Sequence, residues 1–99
     1  MPMTKNTAAE ELIEIFTRTA DSKDMAVLFR EMFTPSEIET LSLRWQLCKD
    51  LYEGKTQRKI ASEHKISLCK ITRGSKLLKA KDSYLKKVLD DYYRLRETD

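Results

Sequence analysis

The sequence predicts an all-α chain of six helices, and three observations carry that prediction. Its 99 residues include two glycines and two prolines, so little in the chain interrupts helices. Thr, Ser and Asp recur just ahead of apolar stretches, where a side-chain oxygen can accept from the unpaired N–H groups of a first turn. The apolar residues recur every three or four positions, as one face of a helix requires. A chain this short is read as a single domain, residues 1–99, with a small core.

The helices follow in order. Thr7-Ala8-Ala9-Glu10 is a capping box, with Thr at N-cap and Glu at N3. It opens a helix striped with Leu12, Ile13 and Phe16 that is expected to reach about Ala20. Asp21-Ser22 restarts the chain into a second helix bearing Met25, Leu28, Phe29 and Met32. Thr34-Pro35-Ser36-Glu37 then combines a capping box with proline at the first helical position. This third helix is expected to end near Glu53, with Gly54 as its stop. It carries Ile38, Leu41, Leu43, Trp45, Leu47, Cys48, Leu51 and Tyr52, more than one stripe. A helix apolar on two sides needs cover on two sides, and a second subunit is the expected source. Thr56 and Ser67 are read as caps of a short and a longer helix. Asp82 is read as the cap of a last helix with Tyr84, Leu85, Val88, Leu89 and Tyr92.

Several functions lack a chemical basis here. No apolar run is long enough to span a bilayer, and MPMTKNTAAEELIEIF has no signal-peptide core. Cys48 and Cys69 are too few for a disulfide framework or a zinc site. His64 is the only histidine, read as a surface or turn residue without an acid–base partner. There is no paired-carboxylate, Ser-His or metal constellation. The chain reads as a cytoplasmic non-enzyme with no metal, no cofactor and no membrane partner.

The charge is unevenly placed. Residues 1–54 hold six Lys/Arg against ten Asp/Glu, and residues 82–99 hold four against five. Residues 55–81 hold nine against one, a block of +8 in a protein whose net charge is +3. One strongly basic segment is the footprint of a nucleic-acid reader, whereas a merely solvated face would keep its acids.

Within that block, residues 57–79 have helix-turn-helix spacing. Ile60 and Ala61 supply the first-helix core, Ile66 follows the turn, and Ile71 anchors the second helix. The turn position carries Lys65, where glycine would reach positive φ at less cost. On the second helix Leu68, Ile71, Ser75 and Leu78 follow the inward spacing. Lys70, Arg73, Lys76 and Lys79 step by three along an outward stripe, and Gln57-Arg58 is placed to hold phosphates.

These residues resemble the bacterial tryptophan repressor family. The resemblance lies in Ile71-Thr72-Arg73-Gly74-Ser75 with a following Leu-Lys pair, in Gln57-Arg58, and upstream in Phe33-Thr34-Pro35-Ser36-Glu37, Leu41-Ser42-Leu43-Arg44 and Leu51-Tyr52-Glu53-Gly54. It spans roughly residues 25–90. It implies an intertwined all-α homodimer that binds a palindromic double-stranded DNA operator, with L-tryptophan as corepressor ligand. Position by position, it implies that Arg44 and Arg73 sandwich the indole and that Arg73 meets the carboxylate. Gly74 then leaves room for the ring, and Thr34 from the partner chain lies near the polar end. The carbonyls of Glu31 and Phe33 accept from the ammonium. For DNA it points to Gln57, Arg58, Leu68, Cys69, Thr72, Arg73 and Lys79, to which the outward stripe adds Lys70 and Lys76. The chain departs from the family at Leu77, where the family has serine, and at Lys70, where it has threonine. Its 54–56 loop is also one residue shorter. A regulator with another ligand or none therefore stays open, as does a non-specific nucleic-acid-binding or protein-interaction module.

Overall fold

The computed structural model describes residues 7–97, and these form six α-helices with no strand among the described residues. They are α1 (Ala8–Arg18), α2 (Ser22–Met32), α3 (Pro35–Tyr52), α4 (Gln57–His64), α5 (Leu68–Lys79) and α6 (Tyr84–Glu97). The chain divides into two compact units, Met1–Ile38 and Glu39–Asp99.

In the first unit the expected caps form. Thr7 Oγ1 accepts from Glu10 N–H while Glu10 accepts from Thr7 N–H at 2.7 Å. Thr34 and Glu37 repeat the box at 2.9 and 3.1 Å. Asp21 accepts from Asp24 N–H to open α2. α1 stops at Arg18, short of Ala20, because Thr17 and Thr19 turn their hydroxyls onto the carbonyls of Ile13 and Ile15. Such back-bonding competes with helix propagation. Phe33 lies 4.9 Å from the Phe29 ring and 6.0 Å from that of Phe16. Yet no residue of α1 or α2 is buried, and Ile13, Ile15, Val27 and Met32 are about half exposed or more.

The second unit has a core. Leu47 of α3, Ile60 of α4 and Ile71 of α5 are buried together, with Leu43, Leu51, Ala61 and Ile66 packed against them. On another side of α3, Trp45 meets Tyr92 of α6 edge-on at 5.6 Å, and Tyr52 stacks on Tyr93 at 5.0 Å. Part of the second cover expected for α3 thus comes from its own α6. Tyr93 also donates to Glu53; burial first, then that bond, push its phenol up to about 12.

Two helix starts differ from expectation. Asp82 does not cap α6: Ser83 Oγ accepts from Lys86 N–H, placing the cap one residue later. Ser67 sits at the N-cap of α5 in extended backbone but makes no side-chain cap bond.

Candidate nucleic-acid interface on the helix-turn-helix

α4 and α5 form the helix-turn-helix. Thr56 Oγ1 accepts from Lys59 N–H and starts α4. Lys65 ends it in the left-handed region, at φ 54 and ψ 47, so the turn keeps its shape without glycine. That conformation costs a non-glycine residue about 1 kcal/mol, and the bond from Ile66 N–H back to the Ala61 carbonyl helps hold it.

α5 then shows two faces. Ile71 and Ser75 are buried and Leu78 is half-buried, as the spacing predicts. Leu68 departs from the inward stripe and is 48% exposed. It is the first helical residue of α5, and Ile66 already packs against the core from before the turn. Leu68, Cys69, Thr72, Arg73, Lys76 and Leu77 instead line an open groove ending at Ala80. Lys70 and Lys79 are exposed beside them. Thr72 Oγ1 donates to Gln57 Oε1 at 3.1 Å, which links the start of α4 to the outer face of α5. Arg58 is exposed on α4.

The residues expected to contact DNA therefore all lie on α4 and α5 in one unit, with Arg58, Lys70, Arg73, Lys76 and Lys79 exposed and Leu68 open to solvent. Cationic side chains in that state are free to meet phosphates, and the first turn of α5 is open to base edges.

The residues implied for a small ligand are divided. Glu31, Phe33 and Thr34 lie in the first unit, where the Thr34 hydroxyl caps α3. Arg44, Arg73, Gly74 and Leu77 lie in the second. Both arginines are exposed, and neither has an ion pair among the described residues. Arg73 and Leu77 line the groove; Arg44 and Gly74 do not. A Cβ added at Gly74 would meet Leu51 Cδ1 at 3.3 Å, so the glycine has an internal use in letting α5 approach α3 closely.

The residue that sequence reasoning missed is Asp50. It is 2% exposed and takes hydrogen bonds from Gln46 at 2.9 Å and from His64 Nε2 at 2.9 Å, with Lys55 Nζ at 3.5 Å. His64 is thus not a surface residue without a partner. The helix end explains the convergence. Gly54, at φ 91, lets Gly54 N–H bond to Leu51 and Lys55 N–H to Asp50, a Schellman ending that folds Lys55 back over α3. Burial raises the Asp50 pKa, but the bonds from His64 and Gln46 and the nearby positive charges outweigh it, and the carboxyl lies below its ordinary value. Glu63 bonds Lys55 at 3.3 Å and is the main cause of a raised ammonium pKa. Donor atoms of Asp50, Glu63 and His64 lie within 4.8 Å of one another, and the Lys55 ammonium bridges the two carboxylates as their counter-ion. A Gly at a helix end followed by Lys, with Asp four residues before the Gly, was the available signal.

With this geometry in place, the comparisons with known proteins bear on it. A family model described as Trp repressor protein matches residues 7–92. A Trp operon repressor homolog of Xylella fastidiosa (strain M23) is 35% identical over 74 residues, 74% of this chain and 80% of that protein. One of Vibrio parahaemolyticus is 32% identical over 73 residues, 73% of this chain and 71% of that protein. One of Chlamydia trachomatis serovar D is 31% identical over 81 residues, 81% and 86% of the two chains. No solved structure gives a significant match. No helix among the described residues is long and apolar enough to cross a membrane.

Proposed function

Since this chain belongs to the Trp repressor protein family, a family of transcription regulators rather than enzymes, we propose that it represses by binding a palindromic DNA operator as a cytoplasmic homodimer, with L-tryptophan as corepressor. The observation that carries this is the outer face of α5, a solvated cationic surface mounted on a buried helix-turn-helix core. The whole chain, residues 1–99, acts as one domain in this reading. α1 and α2 bury no residue of their own, which favours a second copy as their cover. The ligand-binding set is then completed across subunits, because the groove on α5 is walled by α5 alone up to Ala80 and a small molecule needs a second wall. Arg44 and Arg73 stack on the indole and Arg73 takes the carboxylate; Glu31, Phe33 and Thr34 of the other subunit face the ligand's polar end, beside Gly74 and Leu77. Gln57, Arg58, Leu68, Cys69, Lys70, Thr72, Arg73, Lys76 and Lys79 face DNA.

Selection from a pool of random duplexes, with and without L-tryptophan, tests this. Two-fold symmetric sequences should emerge, bound in a salt-dependent way and more tightly with tryptophan. Equal affinity for every duplex would leave phosphate contacts only, and the operator reading would fail. A second reading is a regulator responding to another ligand or none. Leu77 favours it, since an exposed leucine beside Arg73 offers no hydrogen bond to an ammonium. Under that reading, calorimetry with tryptophan shows no heat while operator binding persists.

A further inference from the structure

Asp50 is the only charged residue buried among the described residues, and it stands where α3 meets the helix-turn-helix. Three α3 side chains spaced i, i+3 and i+4 hold the reading unit. Leu47 enters the apolar core with Ile60 and Ile71, Asp50 bonds His64 at the last residue of α4, and Leu51 sets the approach of α5 at Gly74. The first and third contacts are apolar and carry no hydrogen-bond direction. The Asp50–His64 bond is directional, and it acts one residue before the left-handed Lys65 that aims α5. A buried carboxylate stripped of its partner is costly, so the pair has one favoured arrangement.

Resting on the DNA-binding reading above, we propose that the Asp50–His64 pair is a positioning latch that fixes the helix-turn-helix on α3 and thereby sets operator affinity. Nε2–H of His64 donates to the Asp50 carboxylate at 2.9 Å. The groups facing Asp50 are Gln46 on its own helix, Lys55 after it and His64 on α4. Glu63 holds Lys55, and the Asp50 charge also reaches Tyr93 on α6. Lys55 lies 3.5 Å from Asp50 and supplies charge compensation, so His64 supplies the directional contact to α4.

Operator titrations of the full chain and of His64→Gln and His64→Ala, across salt concentration, test the latch. His64→Gln keeps an N–H donor and should bind within about two-fold of the unsubstituted chain. His64→Ala leaves the carboxylate without its α4 partner and should bind roughly ten-fold more weakly. The dependence on log salt should be the same in all three, since a phosphate-contacting histidine would alter that slope by about one. A loss of affinity in His64→Gln as large as in His64→Ala, unaltered affinity in His64→Ala, or a changed salt slope overturns the proposal. If no form binds any duplex, the repressor reading fails by itself. The latch is then judged by amide hydrogen exchange: faster exchange at Ile66 to Cys69 in His64→Ala, with Ile60 and Ile71 unchanged, upholds its positioning part, and identical exchange throughout refutes it.

Discussion

α1 and α2 and the α4–α5 pair are both two-helix elements of similar size, yet they are stabilised differently. The α4–α5 pair has two residues at zero exposure, Ile60 and Ile71, pinned between α3 and their own turn. The α1–α2 pair has one capping box at Thr7, an Asp21 cap and stacked phenyl rings but no buried residue. Caps and ring contacts contribute about 1 kcal/mol each, whereas a buried aliphatic side chain contributes about 1.5–3 kcal/mol. The difference teaches that local signals can fix a helix without fixing where it packs.

The comparison is tested most severely at Ile13. Ile13→Asp should dissociate the proposed dimer, because a two-fold interface counts each change twice, about 3–6 kcal/mol in all. Sedimentation shows it, with α-helical circular dichroism largely kept; a dimer of unchanged affinity would mean that Ile13 lies outside the interface. Next comes Ile71→Ala, expected to lose about 2–5 kcal/mol in urea unfolding through the cavity it leaves. A loss under about 1 kcal/mol would deny that this core belongs to the second unit.

Thr34→Ala removes one arm of the α3 capping box and should cost about 1 kcal/mol, visible as a lower thermal midpoint. The Asp50 carboxyl gives a pH test. Its folded pKa is depressed, so its contribution is present above the unfolded value of about 3.9 and is lost as pH falls through the folded value. Acid unfolding of Asp50→Asn should therefore be shallower below about pH 4 than that of the unsubstituted chain. The smallest effect is Lys65→Gly, which should stabilise by less than about 1 kcal/mol, relief of the left-handed strain being offset by the chain entropy of glycine.

The sequence by itself determined what depends on near neighbours. Thr7, Thr34 and Thr56 cap helices because their partners lie three residues away, and the +8 block stays basic however the chain folds. Ile60, Ile66 and Ile71 were legible as core because helix-turn-helix spacing gives each an inward position. The all-α class and the family followed from these same residues.

Tertiary structure decided the rest. Whether Ser83 or Asp82 caps α6 turns on one residue of backbone direction, which composition does not encode. Leu68 looks inward by period but opens to solvent, since a periodicity rule has no knowledge that Ile66 already fills the core. Gly74 has a packing use that the sequence does not show, since α3 brings Leu51 against it. His64 reads as idle until the Schellman ending at Gly54 and the crossing of α4 on α3 bring it to an aspartate 14 residues away. Periodicity reports which way a side chain leaves its own helix; only the crossing of helices decides what it meets.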